Sequence, residues 1–217
     1  MTPDRIPRLH IITDETIQSR FSHTELATLV SQGGADAVQF REKRHCTTRE
    51  LIETARAMNT VCTAAGLTLV VDDRADVALS VGAPAIHLGK NDLDVATARQ
   101  ILGPEAIIGG TANSYDEAAQ VWSTGVDYMG IGPVYGTQSK ANPAPVMGLE
   151  TLAEICRDCP VPVIAIGSIT AERIPEVLAA GAHGVAVLSA VVAATDPGAA
   201  TRECREAMDS VLGEGVA

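Results

Sequence analysis

Eight short apolar runs alternate with helical stretches along the chain, and this alternation limits the fold more than any other feature. The runs are rich in Val, Ile, Leu, Ala and Gly, and amphipathic sequence separates each run from the next. Continuous apolar strands joined by helices are typical of a parallel sheet with both faces covered. The predicted strands are residues 9–13, 37–41, 67–72, 85–89, 107–111, 128–132, 163–167 and 184–188.

Eight strand–helix units in 217 residues predict a closed (β/α)8 TIM barrel, an α/β fold. We interpret residues 1–217 as a single domain with a frayed tail from about residue 213. An open, doubly wound sheet is the alternative. The turn after the first run has no G-x-G-x-x-G pattern, which disfavours that alternative.

The charge and the aromatic content limit the partners of the chain. Sixteen basic and 27 acidic residues give a formal net charge of −11, and such a surface repels nucleic acid and anionic lipid. Aromatic residues make up 3%, too few for a protein that stacks nucleic-acid bases. No apolar run approaches the roughly 18 residues of a membrane helix, and the N-terminus has no apolar signal core. We therefore expect small-molecule ligands, and neither a nucleic-acid nor a membrane partner.

The five cysteines are odd in number and scattered, which is typical of a reducing compartment and predicts a cytoplasmic protein. The Cys156-x-x-Cys159 pair has no second pair and no histidine at ligand spacing. We interpret it as structural rather than as a zinc or redox site. Exposed apolar helix faces leave a homodimer open, although no motif specifies one.

Polar residues gather at the carboxyl ends of the predicted strands, where barrel enzymes carry their chemistry. In the second strand, alternation turns Val38 and Phe40 toward the helices. The same alternation turns Gln39 and Arg41 toward the barrel axis. A buried amide and guanidinium are costly unless they meet a ligand or a partner. We favour a ligand site, and the alternative is a buried arginine paired with a barrel carboxylate.

All three lysines of the chain, Lys43, Lys90 and Lys140, follow strand ends at one mouth of the barrel. In a strongly acidic protein, this cluster predicts a local site for an anionic substrate. Carboxylates stand beside it, because Asp73 follows the third strand and Asp92 follows the fourth. Such a set fits Mg²⁺ that bridges the protein to phosphate oxygens. The alternative is that Asp72 or Asp73, at the end of the third strand, caps the helix beginning near Arg74.

The last three strand ends carry small and hydroxyl-bearing residues that suit phosphate groups. The loop after the sixth strand contains Thr137, Ser139 and Lys140, and such loops wrap phosphate with N–H groups and hydroxyls. The dipeptides Gly167-Ser168 and Leu188-Ser189 follow the seventh and eighth strands, a frequent phosphate site of barrels. Two phosphate sites in one mouth predict two substrates, a diphosphate held with Mg²⁺ and a monophosphate.

Six segments stand in an order and spacing that is far more specific than any one of them alone. They are QFREK at 39–43, DRADVA at 73–78, IHLG at 86–89, GIGPVY at 130–135, TQSK at 137–140 and AIG at 165–167. Together they resemble the thiamine phosphate synthase family. The resemblance covers the chain from about residue 9 to about residue 197.

This resemblance implies a transferase that joins hydroxymethylpyrimidine diphosphate to thiazole phosphate and releases diphosphate, with Mg²⁺ as cofactor. The family's reaction is dissociative, because the pyrimidine CH₂–O bond breaks before the thiazole nitrogen attacks. The resemblance implies Arg41, Lys43 and Lys140 as the catalytic groups that stabilise the departing diphosphate. It implies Asp73 and Asp92 as the Mg²⁺ ligands.

The resemblance also implies the substrate-binding residues. Gln39, Arg41 and Lys43 would hold the pyrimidine diphosphate, which Lys140 would also reach. Asp72 would lie beside that diphosphate, and the Thr111 hydroxyl would replace that of a Ser common in the family. The residues implied for the thiazole phosphate are Thr137, Ser139, Gly167, Ser168, Leu188 and Ser189.

Three residues depart from the family's pattern. Asp72 stands where the family usually has Asn, and its extra charge would weaken anion binding unless a cation offsets it. Ser168 replaces the second Gly of a usual Gly-Gly turn, which costs about 1 kcal/mol or more if the position needs a positive φ. Asn113 stands where many members have His.

Three rival functions stay open on the sequence. A synthase-like thiazole tautomerase shares the barrel but needs a general base, and its usual His corresponds to Asn113. A binding protein for thiamine precursors would tolerate the changes at Asp72 and Ser168 without any turnover. A sugar-phosphate epimerase is disfavoured by the segment at 39–43.

Overall fold

Eight parallel strands close into a barrel in the computed structural model, which describes residues 5–136 and 144–213. Strands that follow one another in the chain pair in the sheet, and the eighth strand pairs with the first. The open-sheet alternative is therefore wrong. All eight predicted strands are confirmed, with bounds that differ by at most one residue. The strands are β1 (Leu9–Thr13), β2 (Ala37–Phe40), β3 (Thr68–Asp72), β4 (Ala85–Leu88), β5 (Ile107–Ala112), β6 (Tyr128–Ile131), β7 (Val163–Ile166) and β8 (Gly184–Val187).

Helices connect the strands and cover the outside of the barrel. Side-chain caps fix where several of them begin: Ser22 and Thr47 form capping boxes at α1 and α2, and Asp94 and Ser114 cap α4 and α5. The helices of the described part are α1 (His23–Gln32), α2 (Thr48–Ala65), α3 (Ala75–Val81), α4 (Val95–Leu102), α5 (Tyr115–Trp122), α6 (Gly148–Asp158), α7 (Ile174–Ala179), α8 (Ser189–Val192) and α9 (Pro197–Gly213), with a short 3₁₀ turn at Ala171–Arg173.

The strands separate two apolar layers. Val38 and Phe40 of β2 point outward into the larger core, which lies between the strands and the helices. Ala37 points inward to a smaller core on the barrel axis. Gln39 and Arg41 continue this inward face toward the mouth, where they line a cavity. The predicted orientation of this strand is therefore confirmed.

Helix α9 ends the described part of the chain at Gly213, so the predicted frayed tail lies beyond the described residues. Among the residues that the structure describes, no helix is both long and apolar enough to cross a membrane.

Candidate active site

A cavity of about 1030 Å³ opens at the carboxyl ends of the strands. All eight strand ends contribute to its wall. Asp92 is not among the described lining residues, and the predicted Thr137, Ser139 and Lys140 lie outside the described part of the chain. The predicted site residues that line the cavity are Gln39, Arg41, Lys43, Asp72, Asp73, Thr111, Gly167, Ser168, Leu188 and Ser189.

Arg41 is paired with a carboxylate that the sequence analysis did not single out. Its Nη1 donates to Oδ2 of Asp14, which follows β1 and is fully buried. The other oxygen of Asp14 accepts from the Thr16 backbone N–H at 2.8 Å and from the Thr16 hydroxyl at 2.6 Å. The paired arginine of the alternative interpretation is therefore present. Arg41 also lines the cavity, and its contact with a ligand stays a prediction.

Asp72 lies at the centre of a polar cluster at the ends of β2 and β3. Its Oδ1 accepts from Gln39 Nε2 at 3.2 Å, and its Oδ2 lies 3.1 Å from Lys43 Nζ. Burial raises the pKa of Asp72 to about 6, and the neighbouring charge of Asp73 adds to the rise. Burial acts to lower the pKa of Lys43, but Asp72 and Asp73 outweigh it and raise that pKa. Lys43 therefore remains a fixed positive charge at this edge.

Asp73 and Asp92 form a carboxylate pair. Burial and the hydrogen bond to Asp73 raise the pKa of Asp92. Burial acts to raise the pKa of Asp73 too, but hydrogen bonds from Lys43 and Asp92 outweigh it and lower that pKa. Of the two carboxylates, Asp92 is therefore the more easily protonated. Its Oδ2 also accepts from the Gly89 N–H at 2.7 Å.

The alternative that Asp72 or Asp73 caps the helix after β3 is wrong. The N-cap of α3 is Arg74, and no side chain in the described ranges makes a cap hydrogen bond there. Asp73 instead adopts a φ of 63°, and its backbone N–H donates to the His87 carbonyl at 2.9 Å. Its carboxylate is therefore directed to Lys43 and Asp92 rather than to the helix.

The carboxylate pair fits a divalent cation. Two carboxylates in contact repel each other when both are ionised, and a proton or a cation between them removes that repulsion. Within 5–136 and 144–213, no group of three or more His, Cys, Asp or Glu could hold a metal ion. The described chain thus offers two carboxylates, which is a usual set for Mg²⁺ because substrate phosphates and water complete its ligands.

Small residues at the ends of β7 and β8 lie across the barrel from β3 and β4. Gly167 has a φ of 108°, and a Cβ at this position would lie 2.5 Å from the Pro133 Cα. Ser168 follows with a φ of 49°, so this position is left-handed. Ser189 begins α8, whose first turn has no side-chain cap from the described residues. Backbone N–H groups of such a turn and helix end suit an anion.

The chain resembles known proteins along nearly its whole length. The sequence profile of thiamine monophosphate synthase matches residues 9–191. The chain belongs to this family. A thiamine-phosphate synthase of Salinibacter ruber is 50% identical over 209 residues, which cover 96% of this chain and 92% of the relative. Another, of Methanoculleus marisnigri, is 43% identical over 95% of this chain and 98% of the relative.

Solved structures agree with this membership of the thiamine monophosphate synthase family. The structure of a thiamine phosphate pyrophosphorylase from Pyrococcus furiosus is 37% identical and has a TM-score of 0.87. The match covers 95% of this chain and 97% of that one. A 3-hexulose-6-phosphate synthase, at 20% identity and a TM-score of 0.65, shares the fold alone.

Two residues that line the cavity, His87 and Tyr128, were not among the site residues predicted from the sequence. His87 Nε2 lies 2.7 Å from the Thr111 hydroxyl oxygen, and its Nδ1 lies 3.0 Å from the Tyr128 hydroxyl oxygen. Tyr128 fits there because Gly109 has no side chain, since a Cβ would lie 2.1 Å from the Tyr128 ring. The inward alternation of β6 was the available signal for Tyr128. The Thr111 hydroxyl, which the sequence predicts to contact the substrate, thus already has His87 as a protein partner.

Two further polar residues line the mouth and have partners of their own. Lys90 Nζ donates to Glu117 at 2.7 Å. Asn113, which stands where many family members have His, donates from its side-chain amide to the Gly132 carbonyl. Asn113 has no titratable group, so it supplies no general base.

Replacing Asp72 by asparagine is expected to stabilise the fold by about 1–2 kcal/mol more at pH 8 than at pH 5. The folded-state pKa of Asp72 is raised from 3.8 to about 6, so the native chain holds this proton more tightly than the unfolded chain. The folded protein therefore loses stability as the pH rises from 3.8 to about 6, and the loss is complete above that range. Urea unfolding of both proteins at the two pH values measures the effect. An equal gain in the free energy of unfolding at pH 5 and at pH 8 would contradict a raised pKa of Asp72 in the folded protein.

Replacing Ser168 by glycine is expected to stabilise the fold by up to about 1 kcal/mol, because glycine adopts a positive φ at little cost. This position does require a positive φ, since Ser168 has a φ of 49°. Thermal unfolding measures the gain, and Ser189→Gly is the matched control because Ser189 is helical. A loss of stability in Ser168→Gly would contradict the prediction.

Proposed function

We propose that this chain joins hydroxymethylpyrimidine diphosphate to thiazole phosphate, forming thiamine phosphate and releasing diphosphate. One observation carries the proposal: the five family segments that the structure describes contribute to the wall of one cavity. Charged residues lie at one edge of this cavity, and a turn suited to phosphate lies across from it. The charged edge contains Arg41, Lys43 and Asp73, and the turn contains Gly167 and Ser168. Relatives named thiamine-phosphate synthase, at up to 50% identity, support it.

The charged edge would hold the pyrimidine diphosphate. Arg41 and Lys43 line the cavity, and aspartates hold both side chains in place. As the pyrimidine CH₂–O bond breaks, negative charge grows on the departing diphosphate. Cations that are already in place stabilise this charge without reorganisation. Gln39 would contact the same substrate, and Lys140 would add a third cation.

Asp73 and Asp92 would hold the Mg²⁺ that the family implies. When bound, Mg²⁺ neutralises diphosphate charge and helps the leaving group to depart. Asp92 would bind in its ionised form, because carboxylates bind metal in that form. Lys43, which donates to Asp73, would then be available to the diphosphate oxygens.

The thiazole phosphate would bind across the cavity at the ends of β7 and β8. Backbone N–H groups of Ser168 and Ser189 would hold the phosphate, together with Leu188 and the hydroxyls of Thr137 and Ser139. Anchoring the phosphate there would direct the thiazole nitrogen at the pyrimidine CH₂ group. Nitrogen attack then forms the new C–N bond, so no protein nucleophile is needed.

Turnover with both precursors tests the proposal. Purified protein, both phosphorylated precursors and Mg²⁺ are expected to give thiamine phosphate and an equal amount of diphosphate, measured by mass spectrometry. EDTA is expected to stop the reaction, and omission of either precursor is the control. Binding of a precursor without product would favour a non-catalytic binding protein. Isomerisation of a thiazole carboxylate phosphate would favour the tautomerase.

We also propose small phosphorylated molecules as the ligands, a cytoplasmic location and no nucleic-acid partner. The formal charge of −11 and the five free cysteines support these statements. A homodimer stays a prediction, which sedimentation of the purified chain tests.

A further inference from the structure

The guanidinium of Arg173 contacts the phosphate-type turn from outside the cavity. Its Nη1 donates to the backbone carbonyl of Ser168 at 2.7 Å. Ser168 is a non-glycine residue at a φ of 49°, a conformation that costs about 1–2 kcal/mol for a residue with a Cβ. A charge-assisted hydrogen bond to the carbonyl of such a residue favours the conformation it already has.

Arg173 is itself fixed by an aromatic ring. Its Cζ lies 4.4 Å from the centre of the Tyr135 ring, a cation–π distance. The Tyr135 hydroxyl donates to Glu176 Oε1 at 2.5 Å, and α7 carries Glu176. Burial and this hydrogen bond raise the pKa of Tyr135 to about 12, so the hydroxyl stays a donor. We call Tyr135, Arg173 and Glu176 the Arg173 clamp.

The segment that carries Tyr135 also contacts the turn through its backbone. The Val134 N–H donates to the Ile166 carbonyl at 2.9 Å, and the Tyr135 N–H donates to the Gly167 carbonyl at 3.3 Å. Gly167 leaves no room for a Cβ against Pro133. The segment after β6 and the turn after β7 therefore pack backbone to backbone. The Arg173 clamp adds side-chain contacts between them, because Arg173 binds both the Ser168 carbonyl and the Tyr135 ring.

We propose that Arg173 is a positioning residue for the monophosphate substrate: it holds Ser168 in its left-handed conformation and links that turn, through Tyr135, to the segment after β6. This inference rests on the proposed function, since the thiazole phosphate is the ligand assigned to the turn. Arg173 is not among the described residues that line the cavity. Its effect on the substrate is thus indirect, through the Ser168 backbone.

Steady-state kinetics of Arg173→Met tests the inference. The KM for thiazole phosphate is expected to rise about tenfold, the scale of one lost charge-assisted hydrogen bond. The KM for the pyrimidine diphosphate is expected to stay within about twofold, because its charged edge lies across the barrel. Arg157→Met is the matched control, since Arg157 is an exposed arginine on α6 that pairs with Asp158.

A double variant separates a positioning role from a purely structural one. Glycine at 168 adopts a positive φ without help. Arg173→Met/Ser168→Gly is therefore expected to bring the KM for thiazole phosphate back to within about threefold of the parent. Calorimetric titration with thiazole phosphate alone does not depend on turnover. It is expected to give a higher Kd for Arg173→Met than for the parent, and a Kd close to the parent's for the double variant.

The outcomes separate the inference from the proposed function. Unchanged thiazole phosphate KM and Kd in a folded Arg173→Met protein would overturn the inference alone. An equal rise in KM for both substrates would also overturn it, and so would a double variant whose KM for thiazole phosphate does not recover. Both results would indicate a general structural role of Arg173. A parent protein that makes no product would overturn the proposed function, and the Kd comparison would then decide the inference.

Discussion

Asp73→Asn is expected to lower kcat/KM for the pyrimidine diphosphate by about a hundredfold to a thousandfold, the scale seen when one preorganised electrostatic contact is removed. Asp73 is the ionised member of the carboxylate pair and also the partner of Lys43. An amide at this position neither carries charge nor shares a proton with Asp92. Initial rates over a range of Mg²⁺ concentrations measure the effect, and the half-saturating concentration is expected to rise at least tenfold.

A matched carboxylate on the next helix is the control for Asp73→Asn. Asp76 lies on α3, is exposed and pairs with Arg74. Asp76→Asn is expected to keep the parent's Mg²⁺ dependence, because exposed ion pairs contribute little. Direct calorimetric titration with Mg²⁺ adds a readout that is independent of turnover. A parent-like Mg²⁺ affinity in Asp73→Asn would exclude Asp73 as a ligand.

Asp14→Ala is expected to lower the free energy of unfolding by about 3–5 kcal/mol, because the largely buried Arg41 charge loses its close partner. Only a longer contact remains, at 3.9 Å between Arg41 Nε and Asp72 Oδ2. For a chain of this length, such a loss lowers Tm by roughly 6–20 °C. Urea unfolding and thermal unfolding measure the two quantities. Thr16→Ala is the control, and it is expected to cost only about 1 kcal/mol for the hydroxyl bond to Asp14.

A second variant separates the stability role of this ion pair from its role in turnover. Asp14→Leu/Arg41→Met removes both charges, and replacing a whole buried pair by apolar residues is often nearly neutral for stability. We expect this double variant to recover most of the stability that Asp14→Ala loses, yet to remain inactive because the diphosphate contact of Arg41 is gone. Recovery of turnover in the double variant would refute a catalytic role of Arg41. Stability of Asp14→Ala within about 1 kcal/mol of the parent would show that the fold does not depend on the pairing of Arg41 with Asp14.

The barrel could be predicted from local pattern, because each strand is a short apolar run whose period and flanking residues are visible in the sequence. The orientation of β2 followed from alternation alone, with Phe40 outward and Gln39 inward. The family segments also predicted which strand ends share the cavity. These features depend on residues that are close together in the sequence, so they can be predicted without a structure.

The partners of the site residues could not be predicted in the same way, because they come from distant parts of the chain. Arg41 finds Asp14 across 27 positions of sequence, and Lys90 finds Glu117 across the same separation. The capping interpretation of Asp73 failed because a positive φ turns its carboxylate away from α3. An aspartate is only a weak signal of this backbone conformation, whereas a glycine is a strong one.

A crystal structure with thiamine phosphate, diphosphate and Mg²⁺ bound would show whether the diphosphate and the monophosphate lie at opposite edges of one cavity. The diphosphate is expected at Arg41 and Lys43, with Mg²⁺ on Asp73 and Asp92. The phosphate of thiamine phosphate is expected on the backbone N–H groups of Ser168 and Ser189. Diphosphate and monophosphate at the same edge, or Mg²⁺ away from the carboxylate pair, would contradict this arrangement of the two substrates.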